Sequence, residues 1–222
     1  ITLQGKNTSL ISATKQASKL FKPAPESALK STLDNSPTPA ANDSGLSFSL
    51  DRGGIYGVVG ENGSGKSTLL KSLIGYYKID KGEIIINGSF GYCPQHPVFF
   101  QYLTIKEHFR YFCAAYNIDI NESEIYFLLD HLNFSKYLNE KVTHLSGGTL
   151  QKLNLAISLL NNPDILILDE PYNGFDWETY LKFWELTEIL KARNKTILIV
   201  THFINEKEKF NKLFNINNGL IE

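Results

Sequence analysis

The 222-residue chain contains no methionine and only two cysteines, Cys93 and Cys113. Two such cysteines make neither a disulfide framework nor a C-x-x-C metal cluster, so we expect a reduced, cytosolic compartment. We see no apolar run long enough to cross a bilayer and no charged-then-apolar leader, so any membrane part is expected on another polypeptide. The net charge of −1 gives no broad basic field, and we expect no nucleic-acid partner.

The composition changes sharply once along the chain. Residues 22–42 are rich in Pro, Ser, Ala and Thr, which argues against regular structure there. We therefore interpret residues 3–21 as an N-terminal antiparallel β arm and residues 22–45 as its exposed loop. From Leu46 onward, apolar strand-like runs alternate with helical segments. This alternation predicts an α/β fold with a mostly parallel core sheet.

The individual elements can be placed from the same pattern. The predicted helices cover residues 66–75, 104–117, 122–132, 146–160 and 177–192. The predicted strands include a run from 46 to 59 with an apolar segment at 46–50, and further strands at 83–87, 90–93, 165–169, 196–201, 213–216 and 220–221.

The most specific pattern is GENGSGKST at residues 60–68, directly after the apolar stretch 55–59. Glycines at this spacing let backbone N–H groups curl around a polyphosphate, where side chains would block the approach. Lys66 would place its charge on the β and γ phosphates, and Ser67 would offer a hydroxyl to Mg²⁺ at a helix N-terminus. The alternative is a glycine-rich turn with a chance lysine. We expect a nucleoside triphosphate to be bound by Gly60, Glu61, Asn62, Gly63, Ser64, Gly65, Lys66, Ser67 and Thr68.

Two carboxylates end a second apolar run. Residues 165–168 are branched and apolar, and Asp169 and Glu170 follow at once. A buried parallel strand delivers such groups to the carboxyl edge of a sheet, where ligands bind. We expect Asp169 to hold Mg²⁺ and Glu170 to polarise the attacking water. Without the upstream glycine loop, a solvated acidic turn would be the better interpretation.

A second glycine pattern opens a helix at Leu145-Ser146-Gly147-Gly148. Ser146 is a favourable N-cap, and Gly147 and Gly148 would let a phosphate approach the helix end closely. Since one γ-phosphate cannot easily be gripped by both helix ends of one chain, the pair suggests two copies that sandwich the nucleotide head to tail. Taken alone, Ser-Gly-Gly is more often a simple turn.

With these motifs in this order, residues 46–222 resemble the ATP-binding subunit of an ABC transporter, a P-loop NTPase. In that resemblance, residues 60–68 correspond to Walker A, 165–170 to Walker B and 145–148 to the signature. It further implies that Gln95 contacts Mg²⁺ and acts as the Q-loop glutamine, that Asp176 is the D-loop aspartate and that His202 contacts the γ-phosphate.

The same resemblance implies a domain organisation. Residues 46–95 and 162–222 would form the nucleotide-binding core, and residues 96–161 an inserted helical subdomain that docks on the membrane partner. The family's adenine-stacking aromatic has two candidates upstream. Phe48 lies in an apolar segment and fits the core, so Phe21 is the better candidate for the base. Thr149 departs from the glutamine that usually follows LSGG, and we expect changed neighbour contacts there rather than lost activity.

The implied activity is ATP hydrolysis, with ATP and Mg²⁺ as cofactors, that powers transport. The expected partners are a separate transmembrane permease and a second ATPase copy in a homodimer, on the cytoplasmic face of the membrane. The stretch 103–109 with 115–118 resembles ABC-2-type export ATPases, which favours export over import. The alternatives are a non-transport ABC ATPase and, less favoured, a P-loop small-molecule kinase, which has no use for an LSGG turn or a switch histidine.

Overall fold

The computed structural model describes residues 46–202, 207–217 and 219–221. Six strands form one sheet in the order β2-β3-β4-β1-β5-β6. The strands are β1 Ile55–Val59, β2 Phe90–Cys93, β3 Ile165–Asp169, β4 Thr196–Val200, β5 Lys212–Asn217 and β6 Leu220–Ile221. The helices are α1 Lys66–Leu73, α2 Ile105–Tyr116, α3 Glu122–His131, α4 Gly147–Leu159 and α5 Trp177–Ala192.

The first five strands in this order pair in parallel, and only β6 runs antiparallel, against β5. The mostly parallel sheet predicted from the sequence is therefore confirmed. All residues of β1, β3 and β4 are buried, because helices cover both faces of the sheet. One face packs with α2 to α5 and the other with α1, so two apolar clusters flank the sheet.

The central helix α4 is the most deeply buried helix among the described residues. From Thr149 to Leu159 nearly every side chain is inaccessible, including Gln151 and Asn154. The helix packs against β2 and contacts α2 and α3. It therefore links the helical region to the sheet, and its exposed N-terminal turn carries the Ser-Gly-Gly pattern.

Two predicted strands are wrong. Residues 46–50 form no strand, although the alternating burial of Leu46, Phe48 and Leu50 matches the period that suggested one. Residues 83–87 form no strand either, and only part of that segment is buried. A strand needs a hydrogen-bonding partner as well as a suitable pattern, and no strand among the described residues pairs with these segments. The predicted β arm and Phe21 lie outside the described residues.

The helix ends follow local capping rules. Thr104 caps α2 by accepting from the Glu107 backbone N–H at 3.2 Å, and Glu107 Oε2 accepts from the Thr104 N–H at 2.8 Å. The helix ends at Asn117, which adopts a left-handed conformation with φ 54°. This reciprocal capping box explains why the helix begins one residue later than the sequence pattern indicated.

Replacing Thr104 by Ala removes the cap and is expected to lower the free energy of unfolding by about 1 kcal/mol. Thr104→Ser keeps the hydroxyl and is the matched control, with an expected loss well below that. Urea denaturation followed by circular dichroism measures both. Equal stability of the Ala and Ser variants would show that the capping box contributes nothing.

Candidate active site

The loop between β1 and α1 carries the glycine pattern. Gly63 and Gly65 have φ values of 83° and 105°, a region that L side chains rarely adopt. A Cβ atom at Gly63 would meet nothing within 4 Å. The constraint at that position is therefore the backbone conformation, which turns successive N–H groups toward one concave surface. The loop has the shape that the sequence predicted for phosphate binding.

Lys66 lies across this loop. Its Nζ donates to the carbonyl oxygens of Gly60 at 2.7 Å and Glu61 at 2.8 Å, and only 9% of the residue is exposed. Ser67 and Thr68 are exposed in the first turn of α1, while Glu61 and Asn62 are exposed in the loop. Among the described residues, the buried Ser64 Oγ has no hydrogen-bond partner. A fixed cation and free hydroxyls thus surround the concave backbone.

Both predicted carboxylates lie at the adjoining end of β3. Asp169 and Glu170 are only 6% and 5% exposed. Burial, followed by the charge of Glu170, raises the pKa of Asp169 above its ordinary value, while Lys71, His96 and Lys66 oppose this rise. A buried carboxylate of this kind is stabilised by a nearby cation. The electrostatics therefore fit a divalent cation with hard oxygen ligands.

Glu170 and His202 form a direct pair. Glu170 Oε1 accepts from the His202 backbone N–H at 3.0 Å and lies 2.7 Å from His202 Nδ1. Among the described residues, the buried Glu170 Oε2 has no hydrogen-bond partner. The His202 side chain is 49% exposed, so its ring remains accessible at the mouth of the site. One carboxylate oxygen is held by the protein and the other is free to accept from a water.

Glu170 also has an unusual backbone. Its φ of 49° is left-handed, a conformation that costs energy for a residue with a side chain. The Glu170 N–H donates to Val200 O at 2.9 Å, which anchors the residue to the end of β4. We infer that this conformation turns the side chain from the strand toward His202.

Gln95 follows β2, which pairs in parallel with β3. The pairing of Cys93 with Leu168 brings Gln95 to the same edge as Asp169, where the glutamine is half-buried. This position is compatible with the expected contact between Gln95 and Mg²⁺, which stays a prediction.

Sequence reasoning assigned no role in the site to two amide side chains on α4. Asn154 Nδ2 donates to Pro94 O at 2.7 Å and to Gln151 Oε1 at 3.3 Å. Gln151 Nε2 in turn donates to Glu170 O at 3.5 Å. These bonds connect the segment before Gln95 with the turn that carries Glu170. The signal available in the sequence was the pair of amide residues within the mostly apolar run 150–159, which also contains Lys152 and Ser158.

The Ser-Gly-Gly turn opens α4. Ser146 Oγ accepts from the Thr149 N–H at 3.2 Å and lies 2.9 Å from Thr149 Oγ1. Thr149 is 7% exposed, so the residue that departs from the family pattern packs inward. Gly147 is open, whereas a Cβ atom at Gly148 would collide with the carbonyl oxygen of Gly174. The turn therefore packs on the loop after Glu170 and leaves Ser146 and Gly147 exposed.

Two other residues considered in the sequence analysis contribute to helix capping and to core packing. Asp176 caps α5 by accepting from the Thr179 N–H at 2.8 Å, and this bond lowers the pKa of its carboxyl group. Phe48 packs against Phe214 with ring centroids 5.1 Å apart, in agreement with a core position. Phe21 therefore stays a prediction.

Residues 44–173 match the family model for ABC transporters. The chain belongs to the ABC transporter family. Its fold is that of an ATP-binding cassette, and the solved "ATP binding subunit of ABC transporter" is 30% identical to this cassette with a TM-score of 0.73, over 79% of this chain and 80% of the other. A dimeric ATP-binding cassette in a post-hydrolysis state with ADP and Pi is 25% identical, with a TM-score of 0.73 over 80% of this chain and 87% of the other.

Curated relatives include proteins named as transporters and proteins named as ATP-binding proteins. The Nod factor export ATP-binding protein I of Burkholderia orbicola (strain AU 1054) is 37% identical over 74% of this chain. ABC transporter A family member 11 of Dictyostelium discoideum is 36% identical over 80% of this chain. The matched part of the cassette spans 59% of the first protein and 23% of the second. In the described part of the cassette, no helix is long and apolar enough to span a membrane.

The contact between Gly148 and Gly174 predicts a difference between two adjacent glycines. Gly148→Ala should destabilise the cassette by about 1–3 kcal/mol, because the added methyl group meets backbone that must shift. Gly147→Ala is the matched control in the same helical turn, where a Cβ meets open space, and should leave stability unchanged within about 0.5 kcal/mol. Urea denaturation of the variants compares them, and equal stability would contradict the close packing.

Proposed function

We propose that this cassette binds and hydrolyses ATP to power transport, in the export direction, through a separate transmembrane permease. One observation carries the proposal: the glycine loop, the two buried carboxylates and the Glu170–His202 pair follow three neighbouring parallel strands and share one edge of the sheet. A polyphosphate and its reaction centre need such a convergence of backbone N–H groups, cations and carboxylates.

The residues of the loop would bind the phosphates of ATP. Lys66 would exchange its two carbonyl contacts for phosphate oxygens, and residues 60–65 would supply backbone N–H groups. Ser67, Asp169 and Gln95 offer a hydroxyl, a carboxylate and an amide oxygen, a ligand set that fits Mg²⁺. When bound, Mg²⁺ would neutralise part of the phosphate charge.

The hydrolytic step would use the two oxygens of Glu170 differently. Oε1 is held by His202, so the carboxylate has a fixed orientation. Oε2 would accept a hydrogen bond from the attacking water and polarise it. The accessible His202 ring and Gln95 would complete the surroundings of the γ-phosphate. Orienting water and stabilising charge are the main tasks of a protein in phosphoryl transfer.

A second copy would complete the site. Ser146 and Gly147 are exposed at the N-terminus of α4, while Gly148 packs on Gly174 of its own chain. This turn is therefore available to the γ-phosphate bound by another copy, and its N–H groups and helix dipole favour an anion. We propose a homodimer that closes on ATP and separates after hydrolysis.

The transport assignment extends this proposal to the whole assembly. The name of the Burkholderia orbicola relative includes export, which supports the direction, and the cassette would dock on its permease at the cytoplasmic face of the membrane. We propose residues 46–95 and 162–222 as the nucleotide-binding core and residues 96–161 as the inserted helical subdomain. The helices α2 to α4 lie within residues 96–161 and share one apolar cluster with α5.

Lys66→Ala tests the binding loop. The variant should lose ATPase activity by about 10²–10³-fold, because the side chain would stabilise developing charge on the phosphates. Lys195→Ala is the matched control, since Lys195 also donates to a backbone carbonyl, that of Asn162 at 3.0 Å, but lies at the opposite edge of the sheet. It should keep wild-type turnover. A fully active Lys66→Ala variant would remove the loop from the active site.

Glu170→Gln tests the two-copy site. The amide keeps the shape of the side chain but loses the charge that polarises water, so ATP should bind and stay intact. Light scattering with Mg²⁺ and ATP should then show a long-lived dimer, and the same sample with ADP a monomer. Adding Ser146→Arg should abolish the dimer, because its bulk fills the exposed turn.

If no dimer of the Glu170→Gln variant forms, the test is repeated in the presence of the permease. A Glu170→Gln protein that stays monomeric at saturating ATP is retested with its co-purified membrane partner. Failure to trap the closed dimer there as well would rule out the proposed sandwich.

A further inference from the structure

Tyr172 connects the turn after Glu170 with the end of β4. Its hydroxyl donates to Thr201 Oγ1 at 2.6 Å, and both residues are buried, with exposed fractions of 8% and 0%. Tyr172 lies two residues after Glu170, and Thr201 directly precedes His202. The hydroxyl therefore joins the segments that carry the two members of the Glu170–His202 pair.

The backbone around this bond is held on both sides. The Thr201 N–H donates to Val58 O at 3.0 Å, which fixes Thr201 to β1. The Glu170 N–H donates to Val200 O at 2.9 Å, which fixes the start of the turn to β4. Between these anchors, the Tyr172 hydroxyl supplies a side-chain bond near His202. A left-handed Glu170 persists only when such surroundings hold it in place.

Aromatic packing fixes the Tyr172 ring itself. Its centroid lies 5.3 Å from that of Tyr180, 5.4 Å from Phe183 and 6.3 Å from Trp184, all on α5. These edge-on and tilted contacts orient the ring before any ligand binds. The packed ring thereby fixes the position of the hydroxyl. A shift of Thr201 would be transmitted to the adjoining His202 N–H.

We infer that Tyr172 is a positioning residue for ATP hydrolysis. Its hydroxyl holds Thr201 so that the following His202 N–H and Nδ1 fix Glu170 Oε1, which leaves Oε2 directed at the water. The inference rests on the proposed hydrolysis at Glu170. The bond at issue joins Tyr172 to Thr201 and not to a residue of the phosphate-binding loop, so its removal should alter turnover more than ATP binding.

A double-mutant cycle tests this inference. Tyr172→Phe keeps the packed ring and should lower kcat by about three- to tenfold with KM for ATP unchanged, a size typical of one lost hydrogen bond. Thr201→Val should lower kcat similarly, and the double variant should be no slower than the slower single variant, because both changes remove one bond. Thr201→Ser keeps the hydroxyl and should restore most of the activity.

Tyr56→Phe is the matched control. Tyr56 is 6% exposed, and its hydroxyl bonds with the Asp51 backbone, accepting at 2.9 Å and donating at 3.2 Å, away from His202. Its loss should lower the melting temperature without lowering kcat, which separates destabilisation from mispositioning. Purified variants are compared by steady-state ATPase assays and thermal unfolding.

The outcomes separate this inference from the proposed function. The proposed function is overturned if the wild-type protein has no ATPase activity. It is also overturned if the activity does not require Lys66 and Glu170. If that activity is present, a folded Tyr172→Phe protein with unchanged kcat, or multiplicative losses in the double variant, would overturn the positioning role alone.

Discussion

The whole site depends on the parallel pairing of β1, β4 and β3. Val200 of β4 lies opposite Val58 of β1 and Asp169 of β3, so the three strands end at nearly the same height. The segments that follow them are therefore neighbours: the glycine loop after β1, the acidic pair after β3 and His202 after β4. A one-residue change of register would turn the side chains of a strand to the opposite face of the sheet and displace the segment that follows it along the strand direction. Apolar packing on both faces fixes the register and thereby the chemistry.

Burial strengthens the electrostatic interactions between the charged groups at this edge of the sheet. The dehydrated surroundings that raise the pKa of Asp169 also raise the pKa of Tyr92 to about 12, first through burial and then through the charge of Asp169. A cation in such a place interacts strongly with carboxylates and phosphates, because little water screens it. The fold therefore tolerates a cluster of buried acids beside Lys66 that would be unfavourable in an apolar core. In the proposed function, a bound cation would offset the negative charge of these acids and of the phosphates.

The local signals of the sequence were reliable where one segment determines its own structure. The helix at Trp177–Ala192 has the predicted bounds, and the loop around Lys66 has the left-handed glycines that its spacing required. The strands at 46–50 and 83–87 failed because pairing depends on a distant partner. For the same reason, the sequence did not predict the bond from Gln151 to Glu170 or the bond from Tyr172 to Thr201. These bonds join residues 19 and 29 positions apart.

The contact between Gly148 and Gly174 gives the two halves of the proposed mechanism a physical connection. Gly174 belongs to the turn that begins at Glu170, and Gly148 belongs to the turn that would cap a phosphate held by another copy. Because backbone meets backbone here, neither turn can move toward the other without a shift of its neighbour. In the proposed dimer, closure that presses one copy's Ser-Gly-Gly turn onto the loop after its own Glu170 would therefore displace that loop.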